Sequence, residues 1–304
     1  MAITIRPLGG LGNQLFVYAA GSTVANKLET ELIVDLASMA SSPGRKYELD
    51  SFGSQISQVT NTFDSIQPSN SKKLLQRLTN AFGGRHVAPT TIKDRGFWFD
   101  PRILSAPNGS TLEGYLQSWK YFHADSARLR EEMWALSQPT EWFGEWSQKL
   151  RSEQPWVGIH VRRGDYLNIP GMGISTNYYY ERAINLITQL HGEKSVIVFS
   201  DDPELAARLP SIAGLENVEF IVPPSESGPI ESLLLMSLAS HLIMANSSFS
   251  WWAAWLGDSE VRTVIYPRPW IDFRFINDRD LPLPNWIGLG RESPNEALNI
   301  NVGY

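Results

Sequence analysis

The sequence predicts an α/β protein built from two Rossmann-like halves, and three observations carry that expectation. The chain has 304 residues, room for two domains at about 150 residues each. Its opening reads strand, glycine turn, helix, strand, which is a βαβ unit. From Trp156 onward short apolar runs alternate with helical patterns, as in a parallel sheet covered by helices on both faces. The domains are expected at residues 1–150 and 151–304.

Taken in order, residues 3–6 form the first expected strand and Gly9-Gly10-Leu11-Gly12 the turn after it. Residues 13–28 make a helix with an apolar face, and residues 32–35 a second strand. Between 39 and 107, Ser, Thr, Asn, Pro and Gly interrupt weak helical patterns such as 72–82, and no element is assigned there. A strand is expected over 111–118 and helices over 125–136 and 141–152, the second helix serving as the interdomain connection. The second half reads strand 156–161, helix 178–190, strand 196–200, helix 203–209 and strand 218–222. Helix 230–239, strand 242–245, helix 249–256 and strand 263–266 complete it, with the tail after Pro267 as ordered coil. Ligands of such sheets bind at the C-terminal ends of the strands.

Several function classes are excluded or disfavoured by composition. The formal net charge of −6 gives no global positive field to draw nucleic acid or anionic lipid. With no cysteine there is no disulfide scaffold, no thiolate nucleophile and no Cys-ligated metal. The N-terminus lacks the basic start and continuous apolar run of a signal peptide, so a cytoplasmic location is expected. Residues 232–257 carry no Asp, Glu, Lys or Arg and are long enough to span a bilayer. His241, Asn246, Ser247, Ser248 and Ser250 stand in their middle, however, and a buried helix–strand–helix of a soluble α/β core fits better.

Four clusters could do chemistry. The glycines of Gly9-Gly10-Leu11-Gly12-Asn13-Gln14 let a backbone approach a phosphate at a helix N-terminus. The dinucleotide fingerprint lacks its third glycine there, and a strained turn without a ligand is an equal reading. In Gly158-Ile159-His160-Val161-Arg162-Arg163-Gly164-Asp165, guanidinium groups stand at the end of an expected strand, suited to holding a diphosphate and stabilising it as it departs. The competing reading is an Arg–Asp ion pair. Adjacent strand residues face opposite ways, so both arginines reach one ligand only if the strand ends near Arg162. In Ser200-Asp201-Asp202-Pro203 a metal-binding acidic pair competes with a helix N-cap before a proline, and the cap is preferred. Finally, Glu231 and the Asn246-Ser247-Ser248 turn each open a helix. A carboxylate there could accept guanine's paired N–H donors while hydroxyls and helix N–H groups take phosphate, and simple capping is the alternative.

Five strings occur in order: Gly9-Gly-Leu-Gly-Asn-Gln-Leu-Phe16, Gly114-Tyr-Leu-Gln-Ser118, His160-Val-Arg-Arg-Gly-Asp-Tyr166, Phe199-Ser-Asp-Asp202 and Ala245-Asn-Ser-Ser-Phe-Ser-Trp-Trp252. Together they resemble the alpha-1,2-fucosyltransferases of glycosyltransferase family 11, with departures at Val17, Leu116 and Trp119. That resemblance implies a GT-B fold, two Rossmann-like domains facing across a cleft. The first domain would mainly bind acceptor, and the second would hold GDP-fucose. It implies a metal-independent, inverting transfer of L-fucose from GDP-β-L-fucose to the 2-hydroxyl of a terminal galactose, with no cofactor.

By the same resemblance Arg162 contacts the β-phosphate and is the catalytic residue, His160 neighbours the nucleotide, and Arg163 and Asp165 support the loop. Glu231 reads guanine, Asn246, Ser247 and Ser248 sit at the nucleotide phosphates, and Gly12 and Asn13 approach the diphosphate or fucose. No general base is assigned, with Glu113 among the candidates. The expected partners are GDP-fucose and a galactoside oligosaccharide, free or presented at the inner face of a membrane, where the protein would associate peripherally. No nucleic acid is expected. Another GDP-sugar or acceptor hydroxyl is the nearest alternative; a silent nucleotide-sugar-binding module and a dinucleotide-dependent oxidoreductase are alternatives of other classes.

Overall fold

The computed structural model describes residues 1–40, 46–52, 60–61, 90–164, 173–271 and 277–291. The weak helical pattern at 72–82 lies outside them. The chain divides into two compact units, Met1–Ala135 and Leu136–Tyr304.

Unit 1 is a parallel sheet of β1 (Ala2–Ile5), β2 (Glu31–Val34), β3 (Thr60–Asn61), β4 (Thr91–Lys93) and β5 (Thr111–Glu113), in the order β3-β2-β1-β5-β4. Helix α1 (Leu11–Lys27) comes after β1, and among the described residues short helices α2 (Ala37–Ala40), α3 (Pro101–Leu104) and α4 (Ser126–Trp134) follow. From Leu11 to Ala25 every residue of α1 but Asn13 is buried, so α1 is apolar on nearly all sides because it is covered on nearly all sides. Gly21 sets its distance from the sheet: a Cβ there would stand 2.3 Å from Ile5 Cγ2 and 3.2 Å from Leu32 Cδ1. The strand expected over 111–118 stops at Glu113. Gly114 at φ 123° and Leu116 at φ 49° leave the extended region, which no run of apolar residues reveals.

Unit 2 is a six-stranded parallel sheet of β6 (Trp156–Val161), β7 (Ser195–Ser200), β8 (Val218–Ile221), β9 (His241–Ile243), β10 (Val264–Arg268) and β11 (Ile287–Gly290). Its helices are α5 (Glu141–Ser152), α6 (Asn177–His191), α7 (Pro203–Ala207), α8 (Pro210–Ala213), α9 (Pro229–Ser237) and α10 (Ser248–Leu256). The order β11-β10-β9-β6-β7-β8 is that of a Rossmann sheet, with the reversal of winding between β6 and β9. The charge-free segment folds as α9, β9 and α10, nearly all buried. Among the described residues no helix is long and apolar enough to cross a membrane.

Two expectations need correction. The division falls after residue 135 rather than 150, because α5 is built into unit 2. Its Leu150 is fully buried, Trp156 donates to the Leu150 carbonyl, and Lys149 pairs with Glu219 at 2.5 Å. The tail after Pro267 is not simply coil, since β11 adds the sixth strand. Its sequence Ile-Gly-Leu-Gly has weak strand propensity, yet Gly288 is required, because a Cβ would meet Arg268 Cδ at 2.4 Å.

Gly21→Val is expected to lose about 1–3 kcal/mol by overpacking against β1, more than the roughly 1 kcal/mol or less that replacing a helical glycine returns. Urea unfolding would read this as a lowered midpoint. An unchanged or raised midpoint would mean that α1 moves off the sheet at no cost.

Candidate active site

In an open parallel sheet the crevice for ligands lies where the winding reverses, outside the carboxyl ends of the two strands involved. In unit 2 those strands are β6 and β9, and the residues just beyond them are Arg162-Arg163-Gly164 and Met244-Ala245-Asn246-Ser247. β6 ends at Val161, which meets the condition for the two arginines to leave strand alternation. They diverge. Arg162 keeps a quarter of its side chain exposed, whereas Arg163 is buried beside Tyr180, near enough to act electrostatically on that hydroxyl. Nη1 of Arg163 has no hydrogen-bond partner among the described residues.

Asp201, just past the end of β7, organises both. Its Oδ1 accepts the Arg163 backbone N–H at 2.9 Å and its Oδ2 lies 3.2 Å from Arg162 Nε. Gly164 permits that approach, since a Cβ there would come within 2.3 Å of Asp201 Oδ2. Arg162 is therefore ion-paired with Asp201; Asp165, expected to support the loop, lies outside the described residues. Asp202 caps α7, its Oδ1 accepting Leu205 N–H at 2.9 Å with Pro203 at the first helical position. The acidic pair thus divides into an arginine anchor and a helix cap.

On the β9 side, Ser247 is the N-cap of α10, its hydroxyl accepting Phe249 N–H at 3.3 Å, and Ser248 is the first helical residue. The His160 and Phe249 rings, 5.7 Å apart, bring the end of β6 against the first turn of α10. A partly exposed guanidinium thus shares the crevice with a helix N-terminus, and both favour an anion. His160 itself is buried. Burial, with the Arg162 charge second, pushes its imidazole down to about 3, so it is neutral at ordinary pH.

Two expected ligand contacts are engaged by the protein itself. Glu231 is buried, with Oε1 accepting Thr140 N–H at 2.7 Å and Oε2 accepting the hydroxyls of Thr140 and Ser227 at 2.7 and 2.6 Å. Thr140 in turn caps α5. Three of the four lone-pair sites of that carboxylate are used, and the one left cannot take the two side-by-side donors of guanine. The spacing argument missed this because Thr140 lies far away in sequence. Asn246 is buried as well, its Nδ2 donating to the carbonyls of Gly173 and Trp270 at 3.1 and 3.2 Å, so it ties two loops to the end of β9.

In unit 1 the winding reverses between β1 and β5. Gly10 is the N-cap of α1, with Gly12 and Asn13 in the first turn. Gly9 adopts φ 69°, and a Cβ there would meet Asn13 Nδ2 at 2.5 Å. Gln14, fully buried, donates to the Gly9 and Lys46 carbonyls and accepts Glu48 N–H, pinning the glycine turn. Gln117, just past the strained bend, donates to Asn13 Oδ1 at 2.8 Å.

The model of glycosyl transferase family 11 matches residues 100–290, well over half of the chain. The protein belongs to glycosyl transferase family 11. It is an enzyme, a glycosyltransferase, and the oxidoreductase alternative falls. The chain is 29% identical to the O-antigen biosynthesis glycosyltransferase WbnK of Escherichia coli and 28% identical to an Escherichia coli alpha-1,2-colitosyltransferase. These alignments cover 92% and 94% of this chain and 98% of each relative. A galactoside 2-alpha-L-fucosyltransferase of Bos taurus, SEC1, is 27% identical over 63% of this chain and 55% of its own length. Among solved structures, NodZ alpha-1,6-fucosyltransferase aligns at 15% identity and a TM-score of 0.47, covering 84% of this chain and 92% of that one.

The geometry of this family 11 site gives two expectations. Asp201→Asn keeps an acceptor for Arg163 N–H and loses only a part-exposed ion pair, worth about 0–1 kcal/mol. Asp201→Ala strands that N–H as well, and is expected to cost about 1–3 kcal/mol more in urea unfolding; equal costs would refute the anchor. The second concerns acid. Below its ordinary 6.5 the unfolded chain protonates His160, while the folded chain refuses that proton down to about pH 3. Stability is therefore full above pH 6.5 and falls as pH drops, by up to about 1.4 kcal/mol per pH unit from this group. His160→Gln should flatten the slope by one proton between pH 6 and 4; His241, also pushed down by burial, contributes in both proteins.

Proposed function

We propose that this enzyme transfers L-fucose from GDP-β-L-fucose to the 2-hydroxyl of a terminal galactose, inverting the anomeric carbon, without a metal. The observation that carries this reading is the Arg162 guanidinium, held by Asp201 at the reversal point of the unit 2 sheet, where α10 opens after the neighbouring strand β9. As the sugar C1–O bond loosens, charge gathers on the departing diphosphate. A fixed cation and the first-turn N–H groups of α10 stabilise that charge where it develops. Arg162 takes the β-phosphate, and Ser247 and Ser248 take the nucleotide phosphates. Buried, neutral His160 packs beside the nucleotide, and Arg163 supports the loop from behind.

Two relatives bear on linkage and donor. The Bos taurus relative is named for transfer to galactoside 2-positions, which supports the galactose 2-hydroxyl as acceptor. A second reading rests on the Escherichia coli colitosyltransferase. Colitose is fucose without its 3-hydroxyl, so the two donors differ by one polar group. A site built to hydrogen-bond a hydroxyl rejects the analogue that lacks it by large factors, whereas an apolar lining rejects the extra hydroxyl only weakly. The O-antigen relative supports a glycan acceptor, which this reading places in the cytoplasm, free or presented at the inner face of a membrane.

The test is incubation with GDP-fucose or GDP-colitose, a panel of galactosides and a chelator, and then linkage analysis of the product. Fucose in alpha linkage to the galactose 2-position, formed in chelator, is the expected outcome. Preference for GDP-colitose would move the reading to the second donor, and no transfer from either would end it. Arg162→Ala should lose roughly 10²–10³-fold in kcat, and near-normal turnover would remove Arg162 from the reaction.

A further inference from the structure

The crevice of unit 2 opens where two neighbouring strands part. β6 and β9 pair through Val157 with His241, Gly158 with Leu242 and Ile159 with Ile243, and there the ladder ends, whereas β6 stays paired with β7 as far as Val161 with Ser200. The first residue past that ladder is His160 on one side and Met244 on the other. Two adjacent tyrosines at the start of α6 bond their carbonyls. The Tyr180 hydroxyl donates to His160 O at 3.0 Å, and the Tyr179 hydroxyl donates to Met244 O at 2.7 Å, with Ile265 O of β10 at 3.2 Å. Both side chains are fully buried, their rings edge to face with centroids 5.1 Å apart. Burial holds both hydroxyls well above the ordinary tyrosine value, so each keeps the proton it donates.

Each hydroxyl stands where the sheet lacks a donor. On the β10 side Met244 N–H bonds Ile265 O at 2.9 Å, and a parallel ladder would next bring the N–H of residue 267 to Met244 O. That residue is Pro267, which has no N–H, and Tyr179 supplies the missing donor. On the β6 side Trp156 O accepts Ser240 N–H just ahead of β9. Alternate carbonyls of a strand point the same way, so that of His160 is turned toward β9, one residue after the ladder has ended. Tyr180 meets it there. Phenylalanine could fill the same core without burying an oxygen, so the two hydroxyls serve the strand ends.

The β6 contact bears on the site. Val161 and Arg162 are the two residues between the His160 carbonyl, held by Tyr180, and the Arg163 N–H, held by Asp201 at 2.9 Å. Tyr180 is also near enough to Arg163 and Asp201 to act electrostatically with both. Resting on the reading of Arg162 as the β-phosphate ligand, we infer that Tyr180 is a positioning residue for it. Its hydroxyl stands in for the sheet partner that His160 loses where β9 departs. With Asp201 it fixes the backbone on both sides of Arg162, so that the guanidinium is set before a nucleotide arrives. Tyr179 makes the matching contact on the far side of β9, where its work is structural.

The experiment measures GDP and GMP affinities by calorimetry for wild type, Tyr180→Phe, Tyr179→Phe, Arg162→Ala and the double variant of Tyr180→Phe with Arg162→Ala. Each tyrosine variant loses one oxygen and keeps the ring on which the core packs, and thermal unfolding checks that it folds. Wild type is expected to prefer GDP by at least about tenfold, because only GDP carries the β-phosphate. Tyr180→Phe is expected to reduce that preference about fivefold, the cost of ordering a long side chain on binding, with GMP affinity within about twofold of wild type. Tyr179→Phe should leave the preference unchanged, and in the Arg162→Ala background Tyr180→Phe should have no further effect on it. An unchanged preference in Tyr180→Phe overturns the inference. So does an equal fall in Tyr179→Phe, which would mean a general loosening of the core, or the same fall in the Arg162→Ala background, which would mean that the hydroxyl acts without Arg162. A wild type indifferent to the β-phosphate, or an Arg162→Ala protein with wild-type preference, overturns instead the reading beneath, before any tyrosine variant is compared.

Discussion

The candidate site depends on a carboxylate placed where two strand ends meet. Asp201 takes the backbone N–H of Arg163 with one oxygen and faces Arg162 with the other, so the exit of β6 is fixed by β7 and does not wander as a surface loop. Without that anchor an arginine at the end of a strand would sample many rotamers, and ordering it around a ligand would consume part of the binding free energy. Gly164 belongs to the same device, because any side chain there would push Asp201 away. The arginine is therefore set before any anion arrives, which is what electrostatic stabilisation of a leaving group requires.

The two sheets use one plan with different chemistry. Each is wholly parallel, each reverses its winding beside its first strand, and each has a guanidinium just beyond that strand. In unit 2 the guanidinium is partly exposed, with Asp201 against its Nε and a helix opening at the neighbouring strand end, an arrangement suited to phosphate. In unit 1 Arg6 is held by two carboxylates, which leaves little positive charge for an anion and favours a neutral, hydroxyl-bearing guest.

Much of this was legible in the sequence where the signal is local. β6, α6, β7, α9 and α10 lie within two residues of their expected positions, because alternating apolar runs and helix caps are short-range patterns. The arginine string and the serine turn appear at the strand ends where they were expected. Features resting on partners distant in sequence were not legible. Glu231 looked like a ligand contact because its partner Thr140 is ninety-one residues away, and β11 looked like coil because Gly288 answers to packing on β10 rather than to propensity. The bend at Gly114–Leu116 was read as strand because its residues are ordinary and only their dihedral angles are not.

The strand order of unit 2 bears on how the chain is made. β6 is the first of its strands to leave the ribosome, yet it lies in the interior of the sheet between β7 and β9. One flank is covered soon, but the other waits until α6 through α9 have been synthesised, and β10 and β11 come later still. Such non-local pairing makes for slow folding, with a hydrogen-bonding edge left open in the interval. Unit 1 meets the same constraint, since β1 pairs early with β2 but its other flank waits for β5.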